Sequence, residues 1–335
     1  MHISENSRFS VIGYGSWATT IVSRLTSKGN AVHWLITNPK VSEGVLRNRR
    51  NPKYVSHLVL DTSFLTISPD VNEVVGNGDV IILATPAAYL EAALKGLSVP
   101  LNGKFFISAI KGIVPDRCAT VLDYMHEQFG IPADCLGLIS GPTHAEEVSC
   151  DRLSFLTAAC RYKEDAEMIS RRLGNETLRI STSTDVRGIE YASILKNIYA
   201  IASGIAAGMR FGDNFMAVFI AACAGEMNSF IQGICPSDNR DFSSCSYLGD
   251  LLVTCYSNFS RNRHLGMMIG KGCSVKSALD EMTMIAEGYF AADCIHRINT
   301  ERGYRNAVIA EAVYRILYEN SNPDMEMAGI ICGLL

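Results

Sequence analysis

Short apolar runs separated by segments of helical length fill the first half of the chain. Several of these runs are almost continuously hydrophobic, which is typical of strands in a sheet that is covered on both faces. Strands that alternate with helix-length segments predict parallel βαβ units and a doubly wound sheet. The predicted strands are Arg8–Ile12, Ala31–Ile36, Asp79–Ala84, Phe105–Ile110, Leu136–Ser140, Leu153–Ala158 and Leu178–Ser181.

The pattern changes at about Asp185, after which the strand signals stop and long stretches rich in Ala, Ile and Met show helical spacing to the end. One polar, turn-rich segment, Pro236–Ser246, predicts a surface loop between two helices. We therefore expect an α/β protein with two domains. The first, over residues 1–185, holds the doubly wound sheet, and the second, over residues 186–335, is all-α, with the boundary near 183–190.

Length and charge fit this division. A chain of 335 residues with 48% hydrophobic and 19% charged residues is long and apolar enough for two domain cores. The net charge of −4 offers no basic field for nucleic acid. The longest apolar run of the helical half, Ala217–Ala224, is too short to span a membrane, and Met1–Arg8 lacks the pattern of a signal peptide. We expect a cytoplasmic protein without a membrane span, and a homodimer is compatible with the sequence.

The eleven cysteines are widely spaced. The closest pairs, such as Cys150 and Cys160, are ten residues apart, and no C-x-x-C occurs. This spacing favours reduced thiols over a disulfide framework or a zinc site, so no metal is expected.

A glycine-rich turn follows the first predicted strand. Phe9–Ile12 leads into Gly13-Tyr14-Gly15-Ser16-Trp17-Ala18 and then into a helical segment. This is the G-x-G-x-x-G/A pattern in the strand–turn–helix setting of a Rossmann dinucleotide site. Gly13 would permit the tight turn, Gly15 the approach of a pyrophosphate, and the helix N-terminus would attract the anion. The alternative is a glycine turn that only connects the two elements.

The end of the second predicted strand leaves the choice between NAD and NADP open. A carboxylate for the ribose hydroxyl is expected about 20 residues after the glycine turn, where the chain has Ile36-Thr37-Asn38 instead. No arginine for a 2′-phosphate stands there either. Arg47, Arg49 and Arg50 follow, and they form either a cation cluster that folds back or a solvated face.

A single lysine stands out in the second half. The stretch Tyr191–Met209 contains one cationic side chain, Lys196, and no acidic one, and so apolar a helix is expected to be buried. Burial lowers the pKa of a lysine towards neutrality, which suits proton transfer. Lys196 is therefore a candidate general acid and base. The alternative is a structural lysine paired with a buried carboxylate such as Asp250 or Glu146.

Four further segments carry polar groups in positions typical of sites. Lys111 and the segment Ser140–Glu147 each follow the end of a strand, where ligands bind in open α/β sheets. The segments Leu248–Thr254 and Ser260–Arg263 lie in the helical half, and the second of them could clamp a phosphate at a helix start. The alternative for each segment is helix capping and solvated charge.

Taken together, these segments resemble the NAD(P)-dependent glycerol-3-phosphate dehydrogenases. The resemblance extends from Gly13 to about Gly288, in the order of the family. The matching elements are GYGSWATT at 13–20, ATP at 84–86, SAIKG at 108–112, SGPTHAEEV at 140–148, LKNIYAIASGIAAG at 195–208, GDN at 212–214, LGDLLVTCYSNFSRNR at 248–263 and AEG at 286–288.

The resemblance implies roles for individual residues. Catalysis would involve Lys196, which transfers the proton, together with Lys111, Asp250, Asn197 and Thr254. Cofactor contacts would come from Gly13, Gly15, Ser16, Trp17, Lys111, Ala145, Arg261 and Glu287. Substrate contacts would come from Lys111, Gly141, Thr143, Lys196, Asp250, Ser260, Arg261 and Asn262, of which the last three match the phosphate site.

The implied reaction is the reversible reduction of dihydroxyacetone phosphate to sn-glycerol 3-phosphate with NAD or NADP, which supplies phospholipid synthesis. Two departures from the family pattern are visible. Tyr247 and Leu248 precede Gly249-Asp250 where a glycine usually opens the motif, and the basic residue after the second strand has no clear counterpart. Two alternatives stay open: a related dehydrogenase acting on another hydroxy acid or ketone, and a non-catalytic dinucleotide sensor on the same fold.

Overall fold

The computed structural model describes residues 2–303 and 307–334. It divides into two compact units. The first consists of Met1–Ile110 and Val121–Val186, and the second of Lys111–Thr120 and Arg187–Leu335. The sheet lies in the first unit and nearly all of the second unit is helical, so the predicted fold class is confirmed.

An eight-stranded sheet forms the centre of the first unit, in the order β10-β9-β8-β5-β4-β1-β2-β3. All seven predicted strands are present. The strands are β1 Phe9–Ile12, β2 Val32–Leu35, β3 Leu65–Ser68, β4 Val80–Leu83, β5 Phe105–Ser108, β8 Leu136–Ser140, β9 Ser154–Cys160 and β10 Leu178–Ser183.

Two features of the sheet differ from the sequence prediction. The strand β3 was not predicted; it lies at the edge of the sheet, and its residues are mostly half-buried or exposed, so it lacks the apolar run of a central strand. The strands β8 and β9 pair antiparallel, whereas the other paired strands of this sheet run parallel. A buried strand has the same apolar composition in either direction, so the pattern could not reveal this reversal.

Helices cover the sheet and build the second unit. Those of the first unit are α1 Ser16–Thr26, α2 Pro39–Asn48, α3 Val71–Asn77, α4 Leu90–Ala93, α5 Val121–Phe129, α6 Ala145–Ser149 and α7 Lys163–Leu173. Then follow α8 Val186–Gly208, α9 Asp213–Ile234, α10 Asp250–Tyr256, α11 Arg261–Gly270, α12 Val275–Glu281, α13 Glu287–Arg302, α14 Val308–Tyr318 and α15 Pro323–Gly333.

A short hairpin interrupts the division that the sequence predicted. Its strands are β6 Ile113–Val114 and β7 Ala119–Thr120, and they pair antiparallel. Ile113 and Val114 are buried, and β6 packs against α13. The segment 111–120 therefore belongs to the helical unit, in contrast to the two contiguous ranges 1–185 and 186–335. Ile113 and Val114 are buried against a helix that lies far along the chain, so the residues around them in the sequence do not indicate to which unit they belong.

Glycines bring the long helix α8 into direct backbone contact with α11. A Cβ atom on Gly266 would lie 1.9 Å from the carbonyl oxygen of Ile201, and one on Gly204 would lie 2.1 Å from that of Arg263. Either position therefore accepts only glycine without a shift of the backbone. The two helices are fixed against each other at the level of main-chain atoms.

The helix α9 is largely apolar and is buried on one face. Met216, Phe219, Ile220 and Cys223 are buried, whereas Val218 is exposed. Within the described residues it is the one helix long and apolar enough to cross a membrane, with a mean hydropathy of 1.3 over its best window, of which 44% is buried. One such helix is weak evidence for a span, since a core helix of a soluble protein passes the same test. The predicted loop at 236–246 follows directly and leads into a helical turn that begins at Cys245.

Candidate active site

Two lysines converge on one buried carboxylate in the second unit. The Lys196 ammonium donates to Oδ1 of Asp250 at 2.5 Å and to the Thr254 hydroxyl at 3.0 Å. The Lys111 ammonium lies 3.2 Å from Oδ2 of the same carboxylate. Lys196 lies on α8 and Asp250 at the first residue of α10, so two helices and the segment before the hairpin meet at this point.

Burial sets the electrostatics of this group. Lys196 is 4% exposed and Asp250 is 1% exposed, whereas Lys111 is half-buried. The pKa of Lys196 is lowered to about 7. Burial is the largest cause, the Lys111 ammonium also lowers this pKa, and the Asp250 carboxylate opposes both by raising it. Burial alone would raise the pKa of Asp250, but the two ammonium groups outweigh it and the net shift is downwards. The result is a carboxylate that stays ionised beside an amine that can exchange a proton near neutral pH.

The partner of Lys196 is thus Asp250, one of the two carboxylates considered from the sequence. An ion pair by itself fits both a catalytic and a structural lysine. The second ammonium changes this balance, because two cations on one carboxylate leave an excess positive charge. This excess charge and the lowered pKa of Lys196 favour proton transfer.

Two asparagine amides link this centre to the starts of α11 and α13. Asn197 donates to the Lys111 carbonyl at 2.6 Å, and Asn262 donates to the Asn197 side-chain oxygen at 2.9 Å. The Asn262 oxygen in turn accepts from the backbone N–H of Gly288 at 2.9 Å. A Cβ atom on Gly288 would lie 2.5 Å from the Asn197 carbonyl oxygen, so this contact also requires glycine. The role of Gly288 was not predicted from the sequence.

The predicted phosphate clamp divides into groups with different contacts. Ser260 caps α11, because its hydroxyl accepts from the backbone N–H of Arg263 at 3.2 Å. Asn262 uses its amide within the asparagine link. Arg261 is half-buried at the first residue of α11, and Glu287 begins α13 beside Gly288. Of these side chains, the Arg261 guanidinium is the cation suited to an anionic ligand.

In the first unit, the glycine turn has the geometry of a phosphate loop. Gly13 has a φ of +112°, and a Cβ atom there would lie 2.6 Å from the Ala84 carbonyl oxygen. At Gly15 a Cβ atom would meet nothing within 4 Å. Gly15 is also the N-cap of α1, which has no side-chain cap, and Ser16 begins the helix. The open space and the uncapped helix start fit the pyrophosphate of a dinucleotide.

Two residues that the sequence reasoning missed hold this loop in place. The Trp34 indole donates to the Gly13 carbonyl at 2.6 Å, and the Asn51 amide donates to the Tyr14 carbonyl at 2.9 Å. Both side chains are fully buried. An asparagine in a loop, such as Asn51, has no periodicity or motif that would mark it in the sequence. Its role is visible only in the folded chain.

The remaining predicted residues of the first unit lie on two other segments. Gly141 has a φ of +144°, and Thr143 donates its N–H to the Gly141 carbonyl at 2.8 Å, which forms a tight turn before Ala145 begins α6. Trp17 packs on the apolar cluster of Val148, Leu156 and Leu178. In the arginine cluster, Arg49 and Arg50 donate to loop carbonyl groups, while Arg47 is exposed on α2.

The predicted residues therefore fall into separate groups. Those brought together in the second unit are Lys111, Lys196, Asn197, Asp250, Thr254 and Asn262, with Gly288 as their unpredicted partner. The glycine turn and the Gly141–Ala145 turn belong to the first unit.

Comparisons with known proteins match two parts of the chain to one family. Residues 8–166 match the family model described as NAD-dependent glycerol-3-phosphate dehydrogenase N-terminus, and residues 185–328 match the corresponding C-terminus. Among relatives, glycerol-3-phosphate dehydrogenase [NAD(P)+] of Prosthecochloris aestuarii is 33% identical over 92% of this chain and 93% of its own. Glycerol-3-phosphate dehydrogenase [NAD(P)+] 1 of Salinibacter ruber is 32% identical over 95% of this chain and 93% of its own.

A solved structure has the same fold. The crystal structure of glycerol-3-phosphate dehydrogenase from Coxiella burnetii superposes with a TM-score of 0.87, covering 97% of this chain and 98% of its own, at 24% identity.

Proposed function

The chain belongs to the NAD-dependent glycerol-3-phosphate dehydrogenase family, and we propose that it catalyses the reversible reduction of dihydroxyacetone phosphate to sn-glycerol 3-phosphate. The observation that carries the proposal is the buried Lys196 ammonium beside Asp250, with a pKa lowered to about 7. A nicotinamide cofactor, NAD or NADP, supplies or accepts the hydride when bound.

Lys196 moves the proton in both directions. During reduction its ammonium donates a proton from Nζ to the oxygen of the substrate carbonyl as that oxygen gains charge. During oxidation the neutral amine removes the hydroxyl proton. Asp250 and Thr254 hold Nζ in place through the contacts at 2.5 and 3.0 Å. Positioning of this kind lowers the entropic part of the barrier.

The remaining residues have binding and positioning roles in this proposal. Lys111 forms hydrogen bonds with the substrate hydroxyl groups, and its positive charge lowers the pKa of Lys196. The Arg261 guanidinium binds the substrate phosphate, and Ser260 and Asn262 hold α11 and Asn197 in position. The dinucleotide binds at the glycine turn of the first unit, to Gly13, Gly15, Ser16 and Trp17. Further cofactor contacts come from Ala145, Arg261 and Glu287. Further substrate contacts come from Gly141 and Thr143.

We further propose that the enzyme acts in the cytoplasm, supplies glycerol phosphate for phospholipid synthesis and assembles as a homodimer. The substrate is a small phosphorylated molecule, and the net negative charge of −4 argues against a nucleic-acid partner. Sedimentation of the purified protein would measure the assembly.

The decisive experiment follows NADH and NADPH oxidation with dihydroxyacetone phosphate and, separately, with unphosphorylated dihydroxyacetone. Binding energy from the phosphate should raise kcat/KM for the phosphorylated ketone by at least ~100-fold. Equal rates with both ketones would indicate a related dehydrogenase with another substrate. Cofactor binding without turnover would indicate a dinucleotide sensor.

A second experiment locates the phosphate. Arg261→Ala should raise KM for dihydroxyacetone phosphate about tenfold or more, because a charge-assisted contact is lost. With the cofactor at saturating concentration, the rate with dihydroxyacetone should stay nearly unchanged. Arg302→Ala, which removes an exposed guanidinium from the last turn of α13, is the matched control. An unchanged KM in Arg261→Ala would place the phosphate elsewhere.

A further inference from the structure

Two cysteines and an aspartate that have no assigned role in the reaction converge in the second unit. Cys118 lies in the hairpin between β6 and β7, and Asp293 and Cys294 are consecutive residues of α13. One potential ligand atom from each, two thiol sulfurs and a carboxylate oxygen, lie within 4.8 Å of one another. Cys294 is buried, and the other two are half-buried. Nothing in the proposed reaction uses this cluster.

The two thiols also share one oxygen. The Cys118 thiol donates to the carbonyl of Pro115 at 3.5 Å, and the Cys294 thiol donates to the same carbonyl at 3.8 Å. Both sulfurs thus lie close to this oxygen, which belongs to the turn between β6 and β7. Four potential ligand atoms, two sulfur and two oxygen, are therefore grouped where the hairpin packs on α13.

These separations are close to those of a tetrahedral thiolate site. Zinc–sulfur bonds of about 2.3 Å and zinc–oxygen bonds of about 2.1 Å place neighbouring ligand atoms roughly 3.5–3.8 Å apart in a tetrahedron. The distances from the two sulfurs to the Pro115 oxygen match this range. The two sulfurs and the Asp293 oxygen lie within 4.8 Å of one another, so they need to approach by at most about 1 Å. Sulfur donors select soft or borderline divalent cations over Mg²⁺ or Ca²⁺.

We propose that Cys118, Asp293 and Cys294 bind a divalent cation of the zinc and cadmium class, with the Pro115 carbonyl as the fourth ligand. On binding, each thiol loses its proton to solvent and its sulfur forms a bond to the metal. The cation ties the hairpin to α13. The sequence predicted no metal site because Cys118 and Cys294 are far apart along the chain, and only the fold brings them together.

Arg297 is the group that competes with the cation. Its guanidinium forms two hydrogen bonds to the Asp293 carboxylate, at 2.6 and 3.2 Å, one turn along α13. Arg297 is largely exposed, so it can turn into solvent when a cation takes the carboxylate. The positive charge and the occupied carboxylate both weaken metal binding, and removal of Arg297 should strengthen it.

The experiment titrates the reduced, metal-free protein with Co²⁺ and follows the sulfur-to-cobalt charge-transfer absorption, then displaces the Co²⁺ with Zn²⁺. The proposal expects one tightly bound equivalent with thiolate absorption. Cys118→Ser and Cys294→Ser should each weaken binding at least ~10-fold, and Asp293→Asn should weaken it less. Arg297→Ala should strengthen binding, whereas Arg302→Ala, on the same helix, should not.

Two control variants remove exposed thiols that lie outside the cluster. Cys273→Ser should leave the titration unchanged, and so should Cys150→Ser, although the Cys150 thiol lies 3.4 Å from the His57 ring. Loss of the cobalt absorption in Cys150→Ser, with retention in Cys118→Ser, would overturn the assignment. Absence of thiolate absorption in the reduced wild-type protein would overturn it as well.

Thermal unfolding provides a second measurement that is independent of activity. Zn²⁺ should raise the unfolding temperature of the wild-type protein but not of Cys118→Ser, since a ligand that binds only the folded state stabilises it. A Cys118–Cys294 disulfide formed by air oxidation, found together with no zinc effect on the reduced protein, would contradict the proposal and assign the pair to redox chemistry.

Discussion

The glycine turn of the first unit and the lysine centre of the second are built in opposite ways. The turn from Gly13 to Ala18 is continuous in sequence, and the strand before it and the helix after it define its shape. The lysine centre takes its side chains from separate segments, with Lys111, Lys196, Asp250 and Asn262 on four of them. One is a local structure and the other exists only in the folded unit.

The difference shows where each kind of chemistry originates. A phosphate loop needs backbone N–H groups and free space, and a short pattern of glycines supplies both. A lysine that exchanges protons near neutral pH needs burial and charged neighbours, and only packing supplies these. Substitutions in the two regions should therefore separate effects on binding, turnover and stability. They follow from the largest expected effect to the smallest.

Lys196→Met should have the largest effect. It removes the proton donor while preserving most of the side-chain volume, and Asp250 keeps Lys111 as a partner. Turnover should fall by ~10²–10⁴-fold, which is typical for loss of a general acid, and NAD(P)H affinity should not change. Steady-state kinetics measures the turnover, and a fluorescence titration measures the affinity for NAD(P)H. Lys276→Met, at an exposed position of α12, is the control. Near-normal turnover in Lys196→Met would contradict the assignment of Lys196 as the proton donor.

Gly266→Ala should test the helix contact that supports the lysine centre. The added Cβ atom would lie 1.9 Å from a backbone oxygen of α8, so the helices must move apart. Overpacking of this kind costs about 1–3 kcal/mol of unfolding free energy, measured by denaturant titration. Gly225→Ala on α9, where a Cβ atom meets nothing within 4 Å, should be neutral or slightly stabilising. Equal destabilisation of both variants would contradict the argument.

Gly15→Ala should affect cofactor binding with little effect on the fold. Its φ of −74° suits any residue, and the added Cβ atom meets no protein atom within 4 Å. The space it fills is that proposed for the pyrophosphate, so KM for NAD(P)H should rise about tenfold, equivalent to about 1.4 kcal/mol. Unfolding free energy should change by less than about 1 kcal/mol. An unchanged KM would indicate that the turn is only a connection.

The pH profile should report the electrostatics of the lysine centre most finely. Reduction uses the Lys196 ammonium, so kcat/KM should be constant below about pH 7 and fall as pH rises beyond that value, while oxidation should rise with pH and level off above it. Lys111→Met removes a cation that lowers the pKa of Lys196, so the midpoint should move upwards. A midpoint that stays fixed in Lys111→Met would show that another group titrates.

Much of the first unit was predictable because its signals are local. Buried parallel strands leave near-continuous apolar runs, and all seven predicted strands are present. The edge strand Leu65–Ser68 and the hairpin at 113–120 were missed, because partial exposure and short length leave no such run. The close packing of α8 on α11 had a signal that the sequence reasoning did not use: Gly204 and Gly208 on one helix, and Gly266 and Gly270 on the other, are each four residues apart.

The sequence by itself determined the fold class, the glycine turn and the identity of Lys196 as the conspicuous residue of Tyr191–Met209, a stretch with no other charged side chain. Each of these depends on neighbours within a few positions along the chain, which strand and helix periodicity arranges predictably. Only the tertiary structure decided that Asp250 rather than Glu146 is the partner of Lys196, and that Asn262 and Gly288 secure Asn197. It also brought Cys118 to Cys294. These contacts join distant segments, and their formation depends on how the helices pack.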